Sequence, residues 1–317
     1  MATIRDYTRR DNYVNEAIRI ANDNSHGYSQ GNRWGNPDYD CSSLAYSVLY
    51  PFYPGLNKNN PRYTGTMVRD FTQIGFIAHP YDGNLSDLEP GDFLLSDEHT
   101  ALYIGGGQLV EASSSETGGI YGEPGDQTGQ EIHVGPVYQN NWRWVLEPPA
   151  DYIEIPDNPP GTMRRGILWE YHGGNNQKFN LVHHADGTVS LIDCQYGLAL
   201  DLYQGKTEDC NGVNFFTYIE SDAQKWHVWP IIGPSMPDSV APHIIASSIN
   251  PAKILDGSRD AADNGNNGTK LIVYQNQMLN NNKNQIWYIE DNLDGTWVIR
   301  SAEWPKLVVD VSEEIPF

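Results

Sequence analysis

The sequence predicts an α+β domain over residues 1–147, followed after a linker at 148–160 by an all-β domain over 161–317. Three observations carry this prediction. Helical periodicity precedes short-strand periodicity in the N-terminal half, the order of an α+β fold. The segment from Glu147-Pro148-Pro149 to Pro159-Pro160-Gly161 is proline-dense and short of apolar periodicity, as a semi-rigid linker is. The C-terminal half repeats itself three times, and a trefoil accommodates three copies of a short-strand unit while closing every sheet edge.

In the first domain, Tyr13, Val14, Ala17, Ile18 and Ala21 form a helical stripe over Thr8 to Ala21, with Thr8 or Asp11 as cap. A second stripe, Leu44, Ala45, Val48 and Leu49, follows Cys41. Strands are expected at Phe93–Leu95, His99–Ile104, Gln108–Ala112 and Glu131–Val134, the middle two joined through Gly105-Gly106-Gly107. Pairing 104 with 108 sets Ala101 opposite Glu111. It leaves His99, Ala101, Tyr103 and Glu111 on one face and Leu102, Ile104, Val110 and Ala112 on the other.

In the second domain, Gln-x-aromatic occurs at Gln177-Lys178-Phe179, Gln224-Lys225-Trp226 and Gln285-Ile286-Trp287. An apolar-Asp pair interleaves with it at Leu200-Asp201, Leu255-Asp256 and Val309-Asp310. The first Gln has no apolar-Asp element before it, and the last Asp no Gln-x-Trp after it. A circular permutation follows as an expectation, with the segment 294–311 pairing with 165–179 to complete one unit.

Lys and Arg number 20 against 41 Asp and Glu, a formal charge of −21. Phosphate neutralisation, and with it nucleic-acid binding, is excluded on that balance. No apolar run is long enough to span a membrane, so no membrane insertion is expected. The N-terminus has no apolar signal segment, so synthesis in the cytoplasm is expected. Neither His-Glu-x-x-His nor Cys-x-x-Cys occurs, so no metal or other cofactor is expected, and His183-His184 reads as a solvated loop. Of three cysteines at least one is free within a monomer, the state expected here; Cys194 and Cys210 read as two buried thiols.

The chemistry concentrates around Cys41. A Gly/Asn/Pro-rich loop from Gly27 delivers it to the first turn of a helix, where unpaired N–H groups and the helix dipole favour thiolate. Taken alone, such a cysteine is more often a small buried hydrophobe. His99 on the neighbouring hairpin changes that reading. A carboxylate from Glu111 on one imidazole nitrogen leaves the other to take the thiol proton.

The cluster Tyr28…Asp40-Cys41-Ser42, then Leu88-Glu89-Pro90-Gly91-Asp92, then His99-Thr100-Ala101-Leu102-Tyr103-Ile104-Gly105 resembles the NlpC-type papain-like cysteine peptidases over residues 8 to 147. Within that family it is most similar to the peptidoglycan amidohydrolases of phage endolysins. The resemblance implies a papain-like fold, with Cys41 as nucleophile, His99 as general base and acid, and Glu111 as orienting residue. Relatives carry His, Asn or Gln at this third position, so Glu111 is a departure. Tyr28 and the Cys41 N–H are implied oxyanion contacts. Asp40 and Ser42 fall at the cleft, with Arg33, Trp34, Asp38 and residues 113–116 as further lining. The implied substrate is an amide of peptidoglycan, either muramoyl–L-alanine or an internal stem bond such as γ-D-glutamyl, reached after the membrane is opened.

The repeats of residues 161–317 resemble the ricin-type β-trefoil lectins. That likeness implies sugar sites at Asp256, Tyr274, Asn284 and Gln285, and at Asp201 and Tyr218 with Gln224. In the latter, Ala223 replaces the expected Asn. A third site would combine Asp310 with Trp169, Asn176 and Gln177. A carboxylate accepts sugar hydroxyls and an aromatic face covers the ring. Cell-wall carbohydrate is therefore the implied second partner. The alternative function is a wall-binding protein whose papain-like half is inert.

Overall fold

The computed structural model describes residues 1–59, 62–231, 241–260, 264–277 and 282–313. The chain divides into two compact units, one of Tyr7–Asp151 and one of Met1–Asp6 with Tyr152–Phe317. The opening strand β1 (Ala2–Asp6) pairs with a strand at Asp151–Ile155 and so falls in the second unit, a placement no local pattern announces.

The first unit carries helices α1 (Thr8–Ala21), α2 (Cys41–Leu49) and α3 (Thr64–Thr72). Its antiparallel sheet consists of β2 (Ile77–Pro80), β3 (Phe93–Leu95), β4 (Thr100–Gly105), β5 (Gln108–Ala112), β6 (Ile132–Pro136) and β7 (Trp144–Glu147), in the spatial order β2-β7-β3-β4-β5-β6. Both expected helices form. Tyr7, not Thr8 or Asp11, holds the cap position of α1. One face of the sheet packs Phe93, Leu95, Leu102, Val110 and Ala112 against Tyr13, Ala17, Leu44 and Val48 of the helices. The other packs Leu94, Ala101, Tyr103 and Leu109 with Trp142 and Val145. In the β4–β5 hairpin Leu102 faces Val110 and Tyr103 faces Leu109. The expected pairing fails only at the turn, where a bulge sets Gly105, in place of Ile104, opposite Gln108. Glu111 therefore keeps the face the sequence assigned to it.

The proline-dense segment is not linker throughout. Strand β8 (Asp151–Ile155) lies inside it, where Ile155 packs with Ile4, Val182 and Ile192. Among the described residues twelve strands follow. They are β9 (Met163–Glu170), β10 (Phe179–His183), β11 (Val189–Asp193), β12 (Leu198–Leu202), β13 (Asn211–Thr217) and β14 (Trp226–Pro230), then β15 (Pro242–Ser247), β16 (Lys253–Gly257), β17 (Thr269–Gln275), β18 (Trp287–Asp291), β19 (Trp297–Ser301) and β20 (Leu307–Val311). The pairs β20–β9, β12–β13 and β16–β17 meet through contacts among β9, β13 and β17. The pairs β10–β11, β14–β15 and β18–β19 join end to end through β11–β14, β15–β18 and β19–β10. Three copies of one four-strand unit closed on themselves make a β-trefoil. First and last strands pair over five residues, Asp310 opposite Ile167, so the head from one end meets the tail from the other. Trp226 and Trp287 are core: each is fully buried and donates its indole N–H to a carbonyl, of Leu200 and Leu255.

Candidate functional site

In the first unit the start of α2 is fixed before any chemistry enters. Asp40 Oδ1 accepts the Ser43 N–H at 2.7 Å, and Ser43 Oγ accepts the Asp40 N–H at 2.8 Å, a reciprocal cap. Arg33 pairs with Asp40 at 3.1 Å and donates to Ser42 Oγ at 2.8 Å. Asp40 and Ser42 are thus buried braces of the helix start, not groups open to a cleft. Asp38 is likewise fully buried, and its Oδ1 accepts the N–H groups of Gly27 and Gly125, both at 2.9 Å. It ties two loops together. The guanidinium groups of Arg33 and Arg62 lie over the Trp34 ring, 4.7 and 3.7 Å from its centroid.

This scaffold presents Cys41 as the first residue of α2, where the unpaired N–H groups of a helix lie. His99 sits in the turn before β4, its N–H donating to Ser96 Oγ at 3.0 Å and its carbonyl accepting the Ser96 N–H at 2.8 Å. Its Nε2 is 2.5 Å from Glu111 Oε2. Burial alone would lower the basicity of His99, but the bond to Glu111 and the electrostatic influence of nearby Cys41 outweigh it and raise its pKa to about 9. For Glu111, burial works against ionisation, and the bond to His99 prevails and lowers its pKa. Cys41 and Glu111 both line a small cavity of about 10 Å³, walled by Leu44, Val48, Phe93, Leu102 and Val110. The structure brings the three sequence-predicted residues together.

Tyr28 is buried and its pKa raised, first by burial, with the charge on Cys41 adding to it. The phenol stays protonated beside the sulfur. Two residues of this neighbourhood escaped sequence reasoning. Tyr138 donates its hydroxyl to Glu111 Oε2 at 2.8 Å, and the Trp142 ring packs 5.8 Å from that of His99. The aromatic-rich stretch from Tyr138 to Trp144 was the available signal, but no spacing ties it to Glu111.

In the trefoil, Asp310 accepts Gln177 Nε2 at 2.8 Å and Asn176 Nδ2 at 3.1 Å. Asp256 accepts Gln285 Nε2 at 2.9 Å and Asn284 Nδ2 at 2.8 Å. In the middle unit Gln224 partly offsets the burial that raises the Asp201 pKa, with Ala223 where the Asn would be. Gln177 and Gln285 are buried, and their oxygens accept backbone N–H groups from His172 and Gln277 at 2.8 and 2.9 Å. They hold the carboxylates in place and are not surfaces for a ligand. Asp310, Trp169, Asn176, His172 and Arg165 line an open cleft of about 460 Å³.

The three-fold register corrects one assignment. Ile167, Ile272 and Asn214 face Asp310, Asp256 and Asp201. Two residues on, Trp169 and Tyr274 correspond to Phe216. Tyr218 lies a further two residues along, packed near Val182 and Ile192 with its hydroxyl buried. Two more expectations fail. His184 is buried, with Nε2 2.8 Å from Ser190 Oγ, because Ser190 on β11 offers it a partner. Cys210 is exposed, in a turn at φ 67° ahead of β13, while Cys194 is half-buried with its thiol pushed up to about 11 by burial.

No family model and no curated relative matches the chain. Among solved structures it is similar to a designed three-fold symmetric protein, ThreeFoil, at 25% identity and TM-score 0.34, over 42% of this chain and 84% of that one. It is also similar to the Rhizoctonia solani agglutinin, at 16% identity and TM-score 0.31, over 43% and 99% of the two chains. A Macrolepiota procera ricin B-like lectin in complex with lactose matches at 16% identity and TM-score 0.28, over 45% and 97%.

Proposed function

We propose that the first unit is a papain-like thiol amide hydrolase acting on peptidoglycan, and that the trefoil binds wall carbohydrate and holds the enzyme on its substrate. The observation that carries the reading is the bond of His99 Nε2 to Glu111 Oε2 beside a cavity that Cys41 and Glu111 both line, with Cys41 raising the basicity of the same imidazole. The thiol proton passes to His99, and the sulfur attacks the amide carbonyl carbon. In this reading the Cys41 N–H and the Tyr28 hydroxyl donate to the developing oxyanion. His99 then gives the proton to the leaving amine and the C–N bond breaks. A water, deprotonated by the same imidazole, attacks the thioester and frees the thiol.

Sugar binding in the second unit rests on two complete Asp-Asn-Gln sets, at Asp256 and Asp310, with Tyr274 and Trp169 at the matching aromatic position. Binding at the wall raises the local concentration of the cutter. The test is turbidity loss of purified cell walls with the wild type, Cys41→Ala and Cys41→Ser. Lysis by the wild type alone supports the reading. Equal lysis by the variants refutes it, and wall binding without lysis by any of the three leaves a carbohydrate-binding protein. Mass spectrometry of released fragments then identifies the amide, whether muramoyl–L-alanine or an internal stem bond.

A further inference from the structure

Glu111 is the departure in the candidate triad, and the structure surrounds it with more than His99. Its Oε2 receives two donors, His99 Nε2 at 2.5 Å and the Tyr138 hydroxyl at 2.8 Å. Its Oε1 looks toward His133 Nε2, 3.6 Å away on the paired strand β6. The charged and titratable groups facing it are therefore His99 from the turn before β4, His133 from β6, Tyr138 from the loop after β6, and Cys41 from α2 across the small cavity. Two imidazoles compete for one carboxylate, and a carboxylate turned toward His133 would leave His99.

Tyr138 breaks that symmetry. Its hydroxyl lies on the His99 side of Glu111, so the carboxylate can keep both bonds only in the orientation that serves His99. The phenol is a dependable donor. Burial, then the Glu111 charge, raise its pKa far above the ordinary value, so it stays protonated. The loop that carries it is itself fixed. The Trp142 indole donates to the Tyr138 carbonyl at 3.0 Å, and its ring packs 5.8 Å from both Tyr138 and His99.

We propose that Tyr138 is a positioning residue of the candidate Cys41–His99 pair, acting through Glu111 by holding the carboxylate on His99 and off His133. The inference rests on the hydrolase reading for its purpose, but its test does not require wall cleavage. The rate of Cys41 alkylation by iodoacetamide, followed against pH on the full chain by peptide mass spectrometry to separate it from Cys194 and Cys210, reports the thiolate and its imidazolium partner. A wild type whose Cys41 titrates as a simple thiol, with no second inflection from His99, defeats the hydrolase reading itself.

With that inflection present, Tyr138→Phe is expected to lower it by about 0.5–1 pH unit, toward the ordinary histidine value. On any wall substrate the enzyme cuts, kcat is expected to fall about tenfold with KM little changed. In a Glu111→Gln background the same substitution is expected to change the alkylation profile by less than about twofold, since its route of action is gone. Trp142→Phe, which removes the indole bond to the Tyr138 carbonyl but keeps the Tyr138 hydroxyl, is expected to shift the inflection the same way by a smaller amount, and it keeps the question answerable if Tyr138→Phe does not fold. An unmoved inflection, an inflection that rises because the phenol only damps the Glu111 charge, or an equal effect with and without Glu111 overturns the proposal.

Discussion

Replacing Asp256 by Asn is expected to strengthen the trefoil while removing one of its proposed sugar sites. Asp256 is buried, and burial raises its pKa to about 6 although Gln285 and Asn284 both donate to it. In the unfolded chain its carboxyl returns to the ordinary value near 3.8. The difference of about two units corresponds to about 3 kcal/mol by which the ionised group disfavours folding at neutral pH. Asn carries no charge, but its amide nitrogen cannot accept from Gln285 or Asn284, so one hydrogen bond, about 1–2 kcal/mol, is given up. The net expectation is a gain of about 1–2 kcal/mol at pH 7.5, a rise of several degrees in the unfolding temperature.

The sign fixes the pH dependence. The folded pKa lies above the unfolded one, so the wild type recovers stability as pH falls through about 6 and has recovered it fully below about 4. The advantage of Asn should therefore vanish near pH 5 and reverse by pH 4, where only the lost hydrogen bond remains. Calorimetric unfolding of both proteins at pH 5 and 7.5 measures it. Pull-down on purified walls should show at least about tenfold weaker binding through this site, with Asp310→Asn as background, because a charge-assisted acceptor is lost. A variant less stable than wild type at pH 7.5, or an advantage equal at both pH values, would refute the reasoning.

Gln285→Ala removes an acceptor for the Gln277 N–H and donors to Gln275 O and Asp256 at once. It should destabilise the trefoil by about 2–4 kcal/mol in urea titration, and a loss under about 0.5 kcal/mol would show the amide to be dispensable. At Gly27 an added Cβ would stand 2.0 Å from the Gly125 carbonyl oxygen, so Gly27→Ala should cost about 2–3 kcal/mol and displace Tyr28. An unchanged melting temperature contradicts the close approach. Wall hydrolysis should fall as pH rises through about 9, where His99 loses its proton. The same ionisation contributes stability that is complete below about 6.5 and lost through about 9. A pH–rate profile flat to pH 10 would contradict the ion pair.

Much of this architecture is written in local pattern. The stripes of α1 and α2 and the alternation of β4 and β5 are single-element signals, and they place Cys41, His99 and Glu111 without tertiary knowledge. Helix α3 has no such signal. Thr64-Gly65-Thr66 are poor helix formers, and the nine-residue helix owes its place to burial of Met67 and Phe71. β1 and β8 are hidden for a different reason. Each is a short strand whose partner lies at the far side of the first unit in sequence. The repeats name the trefoil and its aspartates, but the aromatic position, two residues beyond each aspartate's cross-strand partner, depends on register. Counting from Asp201 alone therefore selects Tyr218 where the fold places Phe216. Tyr138 was beyond reach because a loop, not a period, brings it to Glu111.

The pairing of β20 with β9 ties formation of the open cleft to completion of the barrel. The Asp310 carboxylate arrives on the strand that closes it, whereas Asn176 and Trp169 wait near the opening strand. A chain cut anywhere between them would forfeit the seam and the pocket together. The cleft is thus present only in an intact, fully assembled second unit.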